Sequence, residues 1–138
     1  MPTITYRTGN DIDLDAFIEL YVASTLGERR PVGDREAMAA MLRHGNLTVS
    51  AWEGDLLVGV ARSLTDFAYV AYLSDLAVRQ THQRRGIGRE LIRRTRAALG
   101  PNASVVLLAA PAAESYYPRI GLRPHRSAWV LAPGDDVR

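Results

Sequence analysis

The stretch DLAVRQTHQRRGIGRELI, residues 75–92, runs from an apolar segment through a short polar turn into two glycines two apart, with arginines on either side. What those glycines approach decides how the rest of the chain is read. Placed at 100° per residue, Ile87, Gly88, Leu91, Ile92, Thr95, Ala98 and Leu99 fall within an arc of about 140°, the apolar stripe of an amphipathic helix. Arg89, Arg93, Arg94 and Arg96 lie outside that stripe. Gly86 and Gly88 therefore sit in the first helical turn, where backbone N–H groups lack helical partners and the macrodipole is positive. Glycine lets an anion come close to those donors, and Gln83, Arg84, Arg85 and Arg89 ring the same spot. A phosphate or pyrophosphate is the expected ligand. A dinucleotide fingerprint does not fit, because Leu91 stands where it needs a third glycine.

Composition narrows the classes. A chain of 138 residues, 47% hydrophobic and 23% charged, is the size of one domain, expected over 1–138. It has no cysteine, and His44, His82 and His125 lack ligand-like spacing, so neither a disulfide nor a metal site is expected. All 17 cationic side chains are arginine, which removes the lysine of a Walker-type phosphate loop and any lysine Schiff base. The net charge is only +2, yet seven arginines fall within residues 79–96, where Glu90 is the one acid. That pattern points to a local anion site; the reading from a different class is a basic nucleic-acid-binding module. The N-terminal stretch does not read as a signal peptide, and no apolar run approaches the roughly 20 residues of a membrane span, so a cytoplasmic protein is expected.

The periodicities predict an element order. A strand over 3–8 is followed by a helix from Leu14, capped by Asp11 or Asp13, and a second helix from Arg35, capped by Asp34 and stopped at Gly45. Three strand-like runs, 47–53, 56–65 and 68–78, form a meander whose first junction, Gly54-Asp55, is a hairpin turn. The helix at 86–99 is followed by an apolar run over 104–110, a short helix near 112–120 and an extended terminal stretch over 121–133. Strands alternating with helices around an antiparallel meander give an α/β fold of the α+β type, a mixed sheet with helices on its faces.

Residues 75–92 resemble the acetyl-CoA signature of the GNAT superfamily of N-acetyltransferases: a strand ending in Leu-x-Val, a polar loop, then Gln/Arg-x-x-Gly-x-Gly/Ala opening a helix. Gln83, Gly86 and Gly88 take the fixed positions. AAESYYPRIGL supplies the family's tyrosine four residues before a glycine, Tyr117 before Gly121, although Leu122 stands where the family usually has phenylalanine. The element order agrees over essentially the whole chain. The resemblance implies a mixed, mostly antiparallel sheet of six or seven strands, splayed between the fourth and fifth, with about four helices. It implies acetyl-CoA as cosubstrate, with the main chain of Leu76, Ala77 and Val78 pairing with the pantetheine arm. Gln83, Arg84, Arg85, Gly86, Ile87, Gly88 and Arg89 would then hold the pyrophosphate.

By family position Tyr117 is the acid that protonates the departing CoA thiolate, and an N–H of the fourth strand polarises the thioester. An acceptor amine with a pKa near 10 is about one part in a thousand neutral at pH 7, so a proton acceptor is needed. Asp75 is the candidate on the fourth strand, with Asp66 and Glu28 as other acids reached through water. Strand alternation sends Tyr72 and Ser74 to one face and Asp75 to the other; the family places Tyr72 and Ser74 towards the acceptor. Arg29 and Arg30, between the first two helices, are candidates for binding an acceptor carboxylate. The expected acceptor is the primary amine of a small molecule, the alternative a protein or peptide amine. His82 and His125 are expected at the surface, Trp129 on the core or in a homodimer interface.

Overall fold

A computed structural model describes residues 3–138. They form two compact units, one ending at Leu108 and one spanning Ala109–Arg138. The first is built on a five-stranded sheet in the order of the chain: β1 (Ile4–Thr8), β2 (Leu47–Glu53), β3 (Leu56–Thr65), β4 (Val70–Val78) and β5 (Ser104–Val106). β1 to β4 pair antiparallel, and β5 joins β4 in parallel. Between β1 and β2 lie α1 (Leu14–Ala23), a 3-10 turn (Leu26–Arg29) and α2 (Arg35–His44); between β4 and β5 lie a 3-10 turn (Gln80–His82) and α3 (Ile87–Ala97).

Local chemistry sets the helix boundaries. The Asp13 carboxylate accepts from the Ala16 amide and that of Asp34 from the Ala37 amide, so both helices start on an aspartate cap. α1 and α2 cover one face of the sheet, where Phe17, Leu20, Tyr21 and Met38 pack with Leu57, Val60 and Ala77. α3 covers the other, where Ile87 and Leu91 pack with Val49, Val58, Ala61 and Leu73. With both faces covered, β2 and β3 are buried along most of their length instead of on alternate residues. α3 lies close because β3 carries Gly59, where a Cβ would come within 3.1 Å of Leu91 Cδ1.

Two features of β4 position everything that follows. Its register against β3 steps from Arg62↔Asp75 to Ser63↔Leu73, which leaves Ser74 as the extra residue of a β-bulge. Its pairing with β5 covers only Val70↔Ser104, Ala71↔Val105 and Tyr72↔Val106. Beyond Tyr72 the strand has no partner on that side among the described residues. The expected opening between the fourth and fifth strands is thus present, whereas the described residues form five strands and not six or seven. The terminal stretch 121–133 forms no strand. Pro124 and Pro133 each delete a ladder donor there, and AWVLAP is a run without alternation.

The second unit holds a 3-10 turn (Pro111–Ala113) and α4 (Tyr116–Arg119). Gly121, at φ 102°, ends α4, and the Leu122 amide returns to the Tyr117 carbonyl at 3.1 Å. The four-residue step from Tyr117 to Gly121 is the length of this helical stop. Trp129 is 91% exposed, so it fills no core position.

The sheet's buried charges make a testable contribution. The Asp75 side chain is fully buried and the Arg62 side chain 8% exposed, with Arg62 Nε 2.5 Å from Asp75 Oδ2. Arg62→Met is expected to cost about 3–5 kcal/mol by leaving a buried carboxylate with one cation fewer. Burial raises the Asp75 pKa, but Arg62, Tyr21 and Arg30 outweigh it and hold the carboxyl below its ordinary 3.8. A lowered folded value means stabilisation that is complete above the unfolded value and is lost as pH falls through the folded one. Urea unfolding at pH 7 and at pH 3 checks both: the loss on acidification should be smaller in Arg62→Met than in the unaltered chain.

Candidate active site

The antiparallel ladder fixes which main-chain groups of β4 are available. Arg79 N donates to Val58 O at 2.8 Å, so by alternation Ala77 and Asp75 also point their N–H and C=O groups towards β3. Leu76 and Val78 point theirs the other way, to the side β5 has left. Val78 O accepts from the Gln83 side-chain amide at 3.0 Å. That bond folds the loop after β4 back onto its edge. Of the three residues expected to offer main chain, Leu76 and Val78 face outward, and Ala77 faces β3.

Downstream, the chain makes the anion-type turn from left-handed backbone. Arg84 has φ 63° and Gly86 φ 79°, and Gly86 is the N-cap of α3 with no side-chain cap. The α3 amides of Ile87, Gly88 and Arg89 precede the first helical bond, which runs from Glu90 N to Gly86 O. Nothing lies within 4 Å of where a Gly86 Cβ would stand, so the approach to those amides is open. The turn is anchored from behind: His82 Nε2 lies 3.0 Å from Glu53 Oε2, and its Nδ1 lies 2.8 Å from Thr81 Oγ1. His82 is 8% exposed, which corrects its expected surface position; the carboxylate ending β2 draws it inward. His125 is exposed.

The seven clustered arginines divide by partner. Arg79 grips Glu19 with two bonds and donates to Leu57 O. Arg93 and Arg94 both pair with Glu90, and Arg96 donates to Ala103 O. Arg84, Arg85 and Arg89 remain at the mouth of the turn, Arg85 with only a 3.9 Å approach to Glu53. Four of the seven are thus engaged within the fold, which leaves Arg84, Arg85 and Arg89 for the turn.

The other expected site residues meet at the bulge. Asp75 Oδ2 accepts from Tyr21 Oη at 2.6 Å and from Arg62 Nε; Asp75 Oδ1 accepts from Arg30 Nε at 2.6 Å. Arg62 Nη2 reaches Ser74 Oγ at 3.0 Å, so Ser74 and Asp75 lie on the same arginine and not on opposite faces. The bulge cancels the alternation that separated them. Arg30 Nη2 donates to Ser74 O at 2.8 Å. Arg29 is exposed and its side chain makes no polar contact among the described residues. Tyr72 is exposed, in register with Leu64 and Val106. Asp66 is engaged by the amides of Ala68, Tyr69 and Val70, which hold its carboxyl below the ordinary range. Glu28 lines an open cleft of about 430 Å³ with Val22, Thr25, Gly27, Val32 and Gln80. Tyr117 lies in the second unit, beside Tyr116 in an edge-to-face pair, and burial raises its hydroxyl pKa above 10.0. Sequence reasoning missed Tyr21, Arg62 and Glu53. Arg62 carried a signal: a lone charge inside an apolar strand needs a buried partner.

A strand that opens from its neighbour and turns through a left-handed glycine into an uncapped helix puts free main-chain groups beside an anion-receiving turn in an α/β fold. The comparisons give the family. The model of the acetyltransferase (GNAT) domain matches residues 27–130, and the chain belongs to that family. No curated protein matches. Among solved structures, a GNAT-family acetyltransferase of Streptococcus pneumoniae superposes with a TM-score of 0.71 at 22% identity, covering 93% of this chain and 98% of that one. An acetyltransferase of Trypanosoma brucei gives 0.67 at 21%, covering 94% and 99%. An aminoglycoside acetyltransferase from an uncultured soil metagenomic sample, in complex with sisomicin, gives 0.67 at 20%, covering 94% of each. The protein is an acetyltransferase of this family, for which acetyl-CoA is the implied cosubstrate. Among the described residues no helix is long and apolar enough to cross a membrane.

The residues fit that cosubstrate: outward main chain on β4 for an amide-bearing arm, and an open glycine turn with three arginines for a pyrophosphate. Gly86→Val combines a β-branched side chain at positive φ, strained by about 1–2 kcal/mol, with a Cβ in the open approach. Calorimetric titration is expected to show at least a tenfold loss of acetyl-CoA affinity in a variant that still folds; undiminished affinity would place the ligand elsewhere.

Proposed function

We propose that this chain transfers the acetyl group of acetyl-CoA to the primary amine of a small molecule by direct attack in a ternary complex. The observation that carries this reading is the outward main chain of Leu76 and Val78, tied through Gln83 to the Gly86 turn. The bound thioester supplies an activated acyl group. The chain's own residues do the rest. An outward β4 N–H polarises the thioester carbonyl, a donor of a kind whose removal costs about 2.7–4 kcal/mol of transition-state stabilisation. Ile87, Gly88 and Arg89 amides, with Arg84, Arg85 and Arg89 side chains, neutralise the pyrophosphate. Tyr72 and Ser74 are assigned to the acceptor side, with Arg29 as the arginine of its pair still open to a carboxylate.

Tyr117 donates the proton that the departing thiolate takes up. A hydroxyl pKa raised by burial keeps that proton in place at neutral pH. Tyr117→Phe is expected to lower kcat by about 10²–10⁴ with little change in KM for acetyl-CoA, the range for losing a general acid. Asp75 stands beside the proposed transfer point, but Arg62, Arg30, Tyr21 and, at 3.4 Å, the Ser74 hydroxyl donate to it and keep it an anion with its lone pairs engaged. We assign it to holding β4 in shape, and the acceptor's proton to water. The amine must lose that proton, so the rate should rise about tenfold per unit from pH 7 towards the acceptor's pKa. Thiol release from acetyl-CoA across a panel of primary amines tests the reading. Amine-dependent release supports it, and release that no amine accelerates contradicts it.

A further inference from the structure

The Asp75 cluster joins four elements, and one of its members is built differently from the others. Tyr21 of α1 and Arg62 of β3 reach Asp75 from buried positions; the Arg30 side chain is 24% exposed and comes from the segment between α1 and α2. Arg30 is the sole side chain of residues 25–34 that hydrogen-bonds to the sheet among the described residues. Its planar guanidinium works as a bridge. Nε donates to Asp75 Oδ1, Nη2 to the Ser74 carbonyl, and Nη1 to the carbonyl of Arg29 in its own loop.

Ser74 is the extra residue of the β4 bulge, and a bulge takes its carbonyl out of the ladder. Arg30 therefore satisfies an acceptor that β3 does not reach, two residues before the outward N–H of Leu76. We propose that Arg30 is a positioning residue for acetyl transfer, fixing the bulge through the Ser74 carbonyl and the Asp75 carboxylate and thereby aiming the Leu76 N–H. The proposal rests on the acetyl-CoA reading above. Arg30 touches neither reacting group. A lysine, with one point-like ammonium, cannot make the same in-plane bridge between two acceptors.

The test follows the Leu76 and Val78 amides by ¹H–¹⁵N NMR during acetyl-CoA titration, in the unaltered chain, Arg30→Ala and Arg30→Lys, with calorimetric affinity alongside. Because Arg62 and Tyr21 still hold Asp75, both variants are expected to fold and to keep acetyl-CoA affinity within about tenfold, since the links to Asp75 and Ser74 are lost and the glycine turn is not. The Leu76 amide should lose the bound-state shift that it shows in the unaltered chain. Ethylguanidinium should restore it in Arg30→Ala, a rescue that a general loss of stability would not give. A Leu76 response unchanged in both variants overturns the proposal. If the alanine variant does not fold, the lysine variant carries the same comparison. If the unaltered chain binds no acetyl-CoA, the cosubstrate reading fails first and the proposal falls with it, an outcome that calorimetry alone distinguishes.

Discussion

A single buried carboxylate organises the middle of the sheet. Asp75 is out of water, and a lone ion there would be intolerable, so three donors from three other segments converge on it. The convergence sits at a bulge, and a bulge bends its strand and increases its twist. β5 follows β4 for three residues and stops two positions before Ser74. The bulge and the opening thus adjoin on β4, and beyond the opening Leu76 and Val78 keep their outward main chain out of a ladder.

Electrostatics divides the labour among the arginines. Arg93 and Arg94 meet Glu90 within α3, Arg79 ties the end of β4 to Glu19 of α1, and Arg96 ties α3 to the carbonyl of Ala103. Arg84 and Arg89 make no such bond among the described residues, Arg85 approaches Glu53 at 3.9 Å, and all three add to the positive end of the helix. The glycine at φ 79° is what lets the chain reach that turn without a side chain in the way. His82, 3.0 Å from Glu53, braces the loop that leads into the turn.

Much of this was legible beforehand because it depends on local rules. The strand limits of β2 and β3, the aspartate caps and the apolar stripe Ile87–Leu91–Thr95 follow from turn chemistry and periodicity, and the structure has them where the sequence places them. The bulge was not legible. Nothing in YLSDLA marks Ser74 as the extra residue, since the mark lies in Arg62, 12 positions earlier in the chain. For the same reason the partners of Arg30 and Asp75 were hidden: their pairing spans 45 residues. His82 went inward through Glu53, again a distant residue. Residues 121–133 show the reverse failure, where an apolar run without alternation suggested a strand that no ladder completes.

The account stands on the outward main chain of β4 serving as the docking edge for the cosubstrate. A crystal structure of the chain with CoA measures that directly. The account predicts the pantetheine arm beside Leu76 and Val78, with the pyrophosphate on the amides of Ile87, Gly88 and Arg89. CoA seated away from β4, or β4 closed by a protein strand along its whole length, would contradict it.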